Sequence, residues 1–106
     1  MLTDKRRVAE LKKMQSSAVK TCEFLKAISN PNRLMLLCEI AMSERCVTEL
    51  EESTGIRQPT LSQQLTVLRT KKLVRTRREG KQIYYSLSSD IALSMMKVLY
   101  SHFCKK

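Results

Sequence analysis

Residues 48–87 place two short helical patterns directly before two strand patterns, and this order constrains the fold more than any other feature of the chain. Thr48 and Glu51 have the spacing of a capping box, which predicts a helix over residues 48–54. Gly55 ends it, and Gln58-Pro59 opens a leucine-rich pattern that predicts a second helix over residues 59–71. The two helices are therefore joined by a tight turn.

A predicted β-hairpin over residues 73–87 follows these helices. Glu79-Gly80 predicts the turn between its strands. Two short helices joined by a tight turn and followed by a hairpin are the components of a winged helix-turn-helix. The predicted fold is thus mainly α with a small β-hairpin wing. The residues expected to form its core are Leu50, Leu61, Leu65, Leu68, Leu73 and Ile83.

Three further helices complete the predicted single domain over residues 1–106. They cover residues 5–28, 31–43 and 89–103, and Asn30 is expected to cap the middle one, which is apolar nearly all round. The outer two carry apolar stripes with little to cover them, so we expect a two-fold dimer. The stripes are Val8, Leu11, Met14, Ala18, Cys22 and Leu25 on the first helix, and Ile91, Met95, Val98 and His102 on the last.

The charge of the chain favours a polyanionic partner. Lys and Arg total 20 against 10 acidic residues, a net charge of +10 that suits nucleic acid or an anionic membrane face. No apolar run approaches the roughly 20 residues of a membrane span. The first residues lack the apolar core of a secretion signal. We therefore expect a cytoplasmic protein in which the four cysteines are free thiols.

The helix over residues 59–71 has the features of a DNA-recognition helix. If its leucines face inward, uncharged polar side chains face outward near its start, where recognition helices present base-reading groups. A basic hairpin beside it would contact phosphates or a minor groove. Each group alone would more often be solvated surface, but the combination favours DNA. The predicted contacts are Thr60, Ser62, Gln63, Thr66 and Arg69 on the helix, and Arg75, Arg77, Arg78 and Lys81 on the hairpin.

Three motifs together resemble the arsenical-resistance-repressor (ArsR/SmtB) family. They are FLKAISNPNRL at residues 24–34, QPTLSQQLTVLR at 58–69 and KQIYY at 81–85. The resemblance covers nearly the whole chain. It implies a homodimeric winged-helix repressor that leaves its DNA operator on sensing a metal or chemical signal, with a dimer interface formed by the first and last helices. It also implies that the DNA-reading positions are Gln58, Thr60, Ser62 and Gln63.

The metal sites of that family are incomplete in this chain. One branch binds arsenic through Cys-Val-Cys at the start of the third helix, whereas this chain has Cys46 followed by Val and then Thr48. A second branch binds zinc through an Asp-x-His pair on the last helix, but Asp90 is followed here by Ile and Ala. The single histidine, His102, is expected to pack at an interface. We therefore expect no metal and no cofactor.

Cys38 and Cys104 match the redox- and sulfide-sensing branch of the family. That branch joins a cysteine on the second helix to one on the last helix through a disulfide or polysulfide bridge. The resemblance implies that oxidants or reactive sulfur species release this chain from DNA. Basic neighbours, including Lys105 and Lys106, would favour the Cys104 thiolate, so we expect attack there first and resolution by Cys38.

Other interpretations stay open at this stage. Free cysteines are usually small buried hydrophobes, and that is our interpretation of Cys22 and Cys46. The chain could instead be a metal-responsive repressor with an unforeseen site, an anti-silencing DNA-binding activator, or a membrane-surface protein. An enzyme is not expected, because the chain has one histidine, no glycine-rich phosphate loop and no nucleophile-with-base motif. The expected partners are an inverted-repeat DNA operator, a second copy of the chain and a sulfur or oxidant inducer, with no membrane.

Overall fold

The computed structural model describes residues 4–104 and has the predicted fold class, mainly α with a small antiparallel sheet. In chain order the elements are α1 (Asp4–Ile28), α2 (Pro31–Met42), β1 (Arg45–Cys46), α3 (Val47–Thr54), α4 (Thr60–Thr70), β2 (Val74–Glu79), β3 (Gln82–Leu87), α5 (Asp90–Leu99) and a π-helical turn (Tyr100–Cys104). The strand order in the sheet is β1-β3-β2, and β2 with β3 and the turn between them form the wing.

α2 lies at the centre of the domain. Asn30 caps it, as predicted: the Asn30 side chain accepts a hydrogen bond of 3.1 Å from the N–H of Arg33, and a proline occupies the first position. The helix is buried on one side only, because Met35 and Met42 remain exposed. Although the helix is apolar nearly all round, its apolar side chains are therefore not all covered within the single chain.

α3 begins one residue earlier than predicted, and the expected capping box of Thr48 and Glu51 is wrong. Cys46 pairs with Tyr84 of β3, so the backbone is held extended immediately before the helix. The carboxylate that reaches back is that of Glu49, which accepts a hydrogen bond of 2.9 Å from the N–H of Cys46. The two-residue strand β1, which sets this start, was not predicted from the sequence.

A C-terminal capping motif turns the chain from α4 into the wing. The N–H of Lys72 donates to the carbonyl of Arg69, and the N–H of Leu73 donates to the carbonyl of Leu68, both at 3.0 Å. Lys72 adopts a left-handed conformation with φ of 61°. This is the Schellman pattern, in which apolar residues at the two ends of the longer bond pack together. Leu68 and Leu73 are both buried, so the direction in which the wing leaves α4 is fixed.

The wing turn lies one residue later than predicted. Glu79 pairs with Gln82, so the two turn residues are Gly80 and Lys81 rather than Glu79 and Gly80. Gly80 has φ of 62°, a left-handed conformation that glycine adopts without the steric cost of a Cβ atom.

The core follows the leucine pattern of α2, α3 and α4. Of the six predicted core residues five are buried, but Ile83 is 40% exposed because it lies near the free end of the wing, beyond the helices. No polar or charged residue among residues 4–104 is buried. The fully buried large side chains are Leu36, Leu37, Leu50, Leu61, Leu65 and Leu68.

The outer helices leave apolar side chains uncovered in the single chain. On α5, Ala92 and Met96 face the core, whereas Ile91 and Val98 of the predicted stripe are exposed. The α1 stripe is likewise exposed at Val8, Leu11, Met14 and Leu25. Ser89 caps α5, and the predicted last helix continues past Leu99 as the π-helical turn. No helix within residues 4–104 is long and apolar enough to span a membrane.

Candidate DNA interface and thiol pair

The outer face of α4 presents uncharged polar side chains. Ser62, Gln63 and Thr66 are exposed, and Arg69 is exposed at the flank, while Thr60 is half-buried. The leucines of the same helix point into the core. This division leaves a polar face directed at solvent on a rigid, well-packed helix.

Gln58 organises the start of this face. Its side-chain oxygen accepts hydrogen bonds from the N–H of Ser62 at 3.0 Å and from the Ser62 hydroxyl at 2.7 Å. The Thr66 hydroxyl in turn donates to the carbonyl of Ser62 at 2.8 Å. Within the described residues, Gln63 makes no side-chain hydrogen bond. The side chain of Gln63 and the NH₂ group of Gln58 are therefore available to hydrogen-bond a ligand, whereas the side-chain oxygen of Gln58 is already engaged. The sequence pattern did not distinguish the available groups from the engaged one.

Arg77 of the wing is bound to carboxylates of the same chain. Its guanidinium donates to Glu44 through Nε at 2.9 and 3.0 Å and through Nη2 at 2.8 Å, and to Glu79 through Nη1 at 2.6 Å. The guanidinium carbon lies 4.6 Å from the centre of the Tyr84 ring. Since Glu44 lies between α2 and β1, Arg77 ties the wing to the helical body.

This ion cluster changes the charge that the wing offers to a partner. Hydrogen bonding from Arg77 lowers the pKa of the Glu44 carboxyl, and the nearby charge of Arg75 lowers it further. Glu44 in turn helps to raise the pKa of the Arg77 guanidinium. The basic residues of the wing that remain exposed and outside the carboxylate cluster are Arg75, Arg78 and Lys81.

Cys38 and Cys104 lie in different surroundings. Cys38 is half-buried on α2, with its Sγ 3.6 Å from the Sδ of Met96 on α5. Burial raises the pKa of the Cys38 thiol, and the charges of Cys104 and Glu39 raise it further. Cys104 is exposed in the π-helical turn that continues α5. The Cys104 thiol is thus accessible, and the Cys38 thiol is partly sheltered.

The remaining cysteines differ from one another. Cys46 is buried, as expected, but Cys22 is exposed on α1, so its interpretation as a buried hydrophobe is wrong for the single chain. All four cysteines are free thiols. Lys105 and Lys106, which were expected to favour the Cys104 thiolate, lie outside the described residues. Across residues 4–104, no group of three or more His, Cys, Asp or Glu side chains is arranged to hold a metal ion.

Comparison with known proteins identifies the family. The sequence profile described as "Bacterial regulatory protein, arsR family" matches residues 30–76. The chain is 50% identical over 91 residues to the biofilm growth-associated repressor of Agrobacterium fabrum, covering 86% of this chain and 78% of that protein. The chain belongs to the ArsR family. The transcriptional activator HlyU of Vibrio cholerae is 36% identical over 95 residues, covering 90% and 88% of the two chains.

Solved structures agree with this assignment. The fold resembles that of reduced HlyU from Vibrio cholerae, with a TM-score of 0.85 at 35% identity over 89% of this chain and 99% of that one. It also resembles the transcriptional repressor BigR from Xylella fastidiosa, with a TM-score of 0.83 at 45% identity over 90% and 97%. A homodimeric winged helix-turn-helix DNA-binding domain from Mycobacterium bovis has a TM-score of 0.64 at 28% identity over 94% and 85%. These relatives are regulators, in line with the expectation that this ArsR-family chain is not an enzyme.

The ion cluster of the wing gives a testable pH dependence. Because the folded-state pKa of Glu44 is lowered, its stabilising effect is present above its ordinary value of about 4.3 and is lost as the pH falls through the lower folded value. We expect Glu44→Gln to lower the melting temperature at neutral pH, and the difference from wild type to vanish in acid. Melting curves followed by circular dichroism from neutral to acidic pH would measure this.

Glu52→Gln is a matched control, since Glu52 is an exposed carboxylate on α3 outside the salt bridges of the described residues. It should leave the melting temperature close to that of wild type at both ends of the pH range. A Glu44→Gln curve that stays parallel to the wild-type curve at every pH would show that the Arg77 cluster does not stabilise the fold.

Proposed function

We propose that this chain, a single winged-helix domain, is a homodimeric transcriptional repressor that leaves its operator when Cys38 and Cys104 are joined by a sulfur bridge. The observation that carries the proposal is the placement of the two thiols: Cys38 on α2 packs against Met96 of α5, and Cys104 lies exposed in the π-helical turn that continues α5. The names of the relatives support repression, because the Agrobacterium and Xylella proteins are both named as repressors.

A two-fold dimer would present two copies of α4 to DNA. The exposed apolar side chains of α1 and α5 supply a surface for the second copy, and one structural neighbour is described as homodimeric. Two recognition helices in successive major grooves lie about 34–36 Å apart, so the operator would be an inverted repeat with that half-site spacing.

In this proposal α4 reads bases and the wing binds backbone. Gln63 and the NH₂ group of Gln58 are suited to base edges, with Thr60, Ser62 and Thr66 beside them. Phosphate contacts come from Arg69 on the flank and from Arg78 and Lys81 on the wing. Arg77 was predicted from sequence as a further DNA contact, but its bonds to two carboxylates suit it to supporting the wing.

The proposed thiol chemistry starts at the exposed cysteine. The Cys104 thiolate attacks the outer sulfur of a low-molecular-weight persulfide, a thiol leaves, and Cys104 carries the persulfide. Cys38 then attacks the Cys104 sulfur, hydrogen sulfide leaves and a disulfide remains. If both cysteines become persulfides, loss of hydrogen sulfide leaves a trisulfide instead. The raised pKa of Cys38 suits it to the second step, because a smaller fraction of this thiol is ionised and Cys38 is therefore less reactive toward the persulfide in the first step.

Such a bridge would change the geometry on which DNA binding depends. It would join α2 to the end of the α5 segment, while α2 also contacts α4 and α5 contacts the wing strand β3. A shift of α5 within the dimer would alter the spacing of the two recognition helices. The operator would then bind the unbridged dimer more tightly, and the inducer would favour the bridged dimer. Opposite preferences of this kind are the condition for allosteric release.

Base reading by α4 can be tested at Gln63. Gln63→Ala should weaken binding to operator DNA by roughly 5- to 150-fold, and change non-specific binding little, because a bidentate base contact is worth about 1–3 kcal/mol. Fluorescence anisotropy on both DNAs at one salt concentration would measure this. Gln82→Ala, an exposed glutamine on the wing, should leave the ratio of the two affinities unchanged. Equal losses on both DNAs would remove Gln63 from base reading.

The sulfur-sensing step can be tested on the full chain with glutathione persulfide and, separately, diamide, which accepts two electrons and two protons. Wild-type protein should lose two hydrogens, or gain sulfur as a trisulfide, by intact mass, with peptide mapping to Cys38 and Cys104. Its operator affinity should fall by tenfold or more, within the range of typical allosteric couplings of about 5- to 150-fold.

Single variants separate the roles of the two thiols. Cys104→Ser should remain bound to DNA after treatment, and Cys38→Ser should retain a persulfide on Cys104. Cys22→Ser is the matched control, since Cys22 is another exposed thiol, and it should respond like wild type. Bridge formation without a change in DNA affinity would overturn sulfur sensing and leave a DNA-binding regulator. Zinc added in parallel would reveal a metal response by weakening operator binding.

The opposite sign of regulation is the second candidate function, because the HlyU relative is named as an activator. An anti-silencing activator would keep the dimer and the DNA contacts but displace another protein. A promoter fusion in the host distinguishes the two. Deleting the gene should raise reporter expression for a repressor, and the Gln63→Ala variant should reproduce that rise. A fall in expression on deletion would establish activation.

A further inference from the structure

Arg33 on α2 connects the end of α1 to α4. Its Nε donates to the carbonyl of Ala27, and its Nη2 donates to the carbonyl of Lys26 at 3.1 Å. Its Nη1 donates to the side-chain oxygen of Gln64 on α4 at 2.8 Å. One guanidinium therefore holds two backbone carbonyls of α1 and one side chain of the recognition helix. We call this set of contacts the Arg33 bridge.

The chemistry of arginine suits this position. The last carbonyls of a helix lack intrahelical partners and carry a partial negative charge, which a cation stabilises. The guanidinium is planar and presents its donors in a fixed fork, so it fixes the relative directions of its acceptors. The Arg33 backbone is itself held, because its N–H donates to the Asn30 cap of α2.

Gln64 is placed to control how α4 is rotated about its own axis. The leucines of α4 pack into the core and set the depth of the helix, but apolar packing is not directional. A hydrogen bond is directional, and the one from Arg33 holds Gln64 on the side facing α2. Gln63 and Ser62 lie on the exposed face that would read bases.

We propose that Arg33, through Gln64, is a positioning residue that sets the orientation of the recognition helix relative to α1. The proposal rests on the proposed function, since α1 would form the dimer interface and α4 would enter the major groove. The Arg33 bridge then transmits the two-fold geometry of the dimer to the base-reading face. Arg33 itself would touch no base.

The first test needs no DNA. Gln64→Met removes the acceptor but keeps a side chain of similar length, and hydrogen exchange of the free protein is followed by mass spectrometry. We expect faster exchange both in α4 and in the last turn of α1, because the two helices lose a common partner. Gln63→Met is the matched control and should change neither region. Faster exchange in α4 alone would overturn the Arg33 bridge as a link between helices.

The second test measures DNA discrimination. Gln64→Met should reduce operator affinity about tenfold more than non-specific affinity, and adding Arg33→Lys should cause little further loss, because coupled residues are not additive. Gln64→Glu keeps an acceptor for Arg33 and should restore discrimination, which a general loss of stability would not. Additive losses, or no rescue by Gln64→Glu, would overturn the proposal.

The hydrogen-exchange test and the DNA-discrimination test together separate the failure of this inference from the failure of the proposed function. If wild-type protein does not distinguish operator from other DNA, the proposed function fails while the exchange measurement still decides whether the Arg33 bridge exists. If wild type discriminates and Gln64→Met discriminates equally well, the positioning role fails and the DNA-binding function stands.

Discussion

Burial of the leucines contributed by α2, α3 and α4 is the interaction on which the rest of this structure depends. Six leucines are fully buried, and each contributes roughly 1.5–3 kcal/mol relative to an exposed position. Three of them, Leu61, Leu65 and Leu68, lie on α4, so the packing that stabilises the domain also fixes which face of α4 is exposed. The leucines therefore decide which residues of α4 are exposed, and the hydrogen bond from Arg33 to Gln64 is left to set the finer orientation of that face.

The same core contains no charged side chain of residues 4–104. The charged side chains therefore lie nearer the surface, where they can pair with each other or with a binding partner. The wing shows how this surface is divided. Arg77 is bound by Glu44 and Glu79 and stacks near Tyr84, whereas Arg78 and Lys81 extend beyond the cluster. A basic surface is therefore not a uniform set of phosphate contacts, because part of the charge holds the wing in place.

The sequence predicted the elements well and their contacts less well. Helix period, the Asn30 cap and the leucine spacing are local patterns, and local patterns are enough to locate helices and the core face of α4. The errors come from strand pairing. Cys46 of β1 pairs with the distant Tyr84 and so sets the start of α3, and the register of β2 with β3 pairs Glu79 with Gln82, which moves the turn by one residue. Glu44 lies 33 residues from Arg77, and Gln64 lies 31 residues from Arg33. No local pattern could therefore reveal that Glu44 binds Arg77 or that Gln64 binds Arg33.

α2 unites the two parts of the proposed mechanism. Cys38 and Arg33 lie five residues apart on this one helix, about 7.5 Å along its axis at a rise of 1.5 Å per residue. Cys38 contacts α5 through Met96, and Arg33 holds α4 through Gln64. A helix moves as a rigid unit over such a distance, so a bridge that pulled on Cys38 would also move the donor that orients α4. Sulfur chemistry at one end of the domain would thereby reach the DNA-reading face without a change in the leucine core.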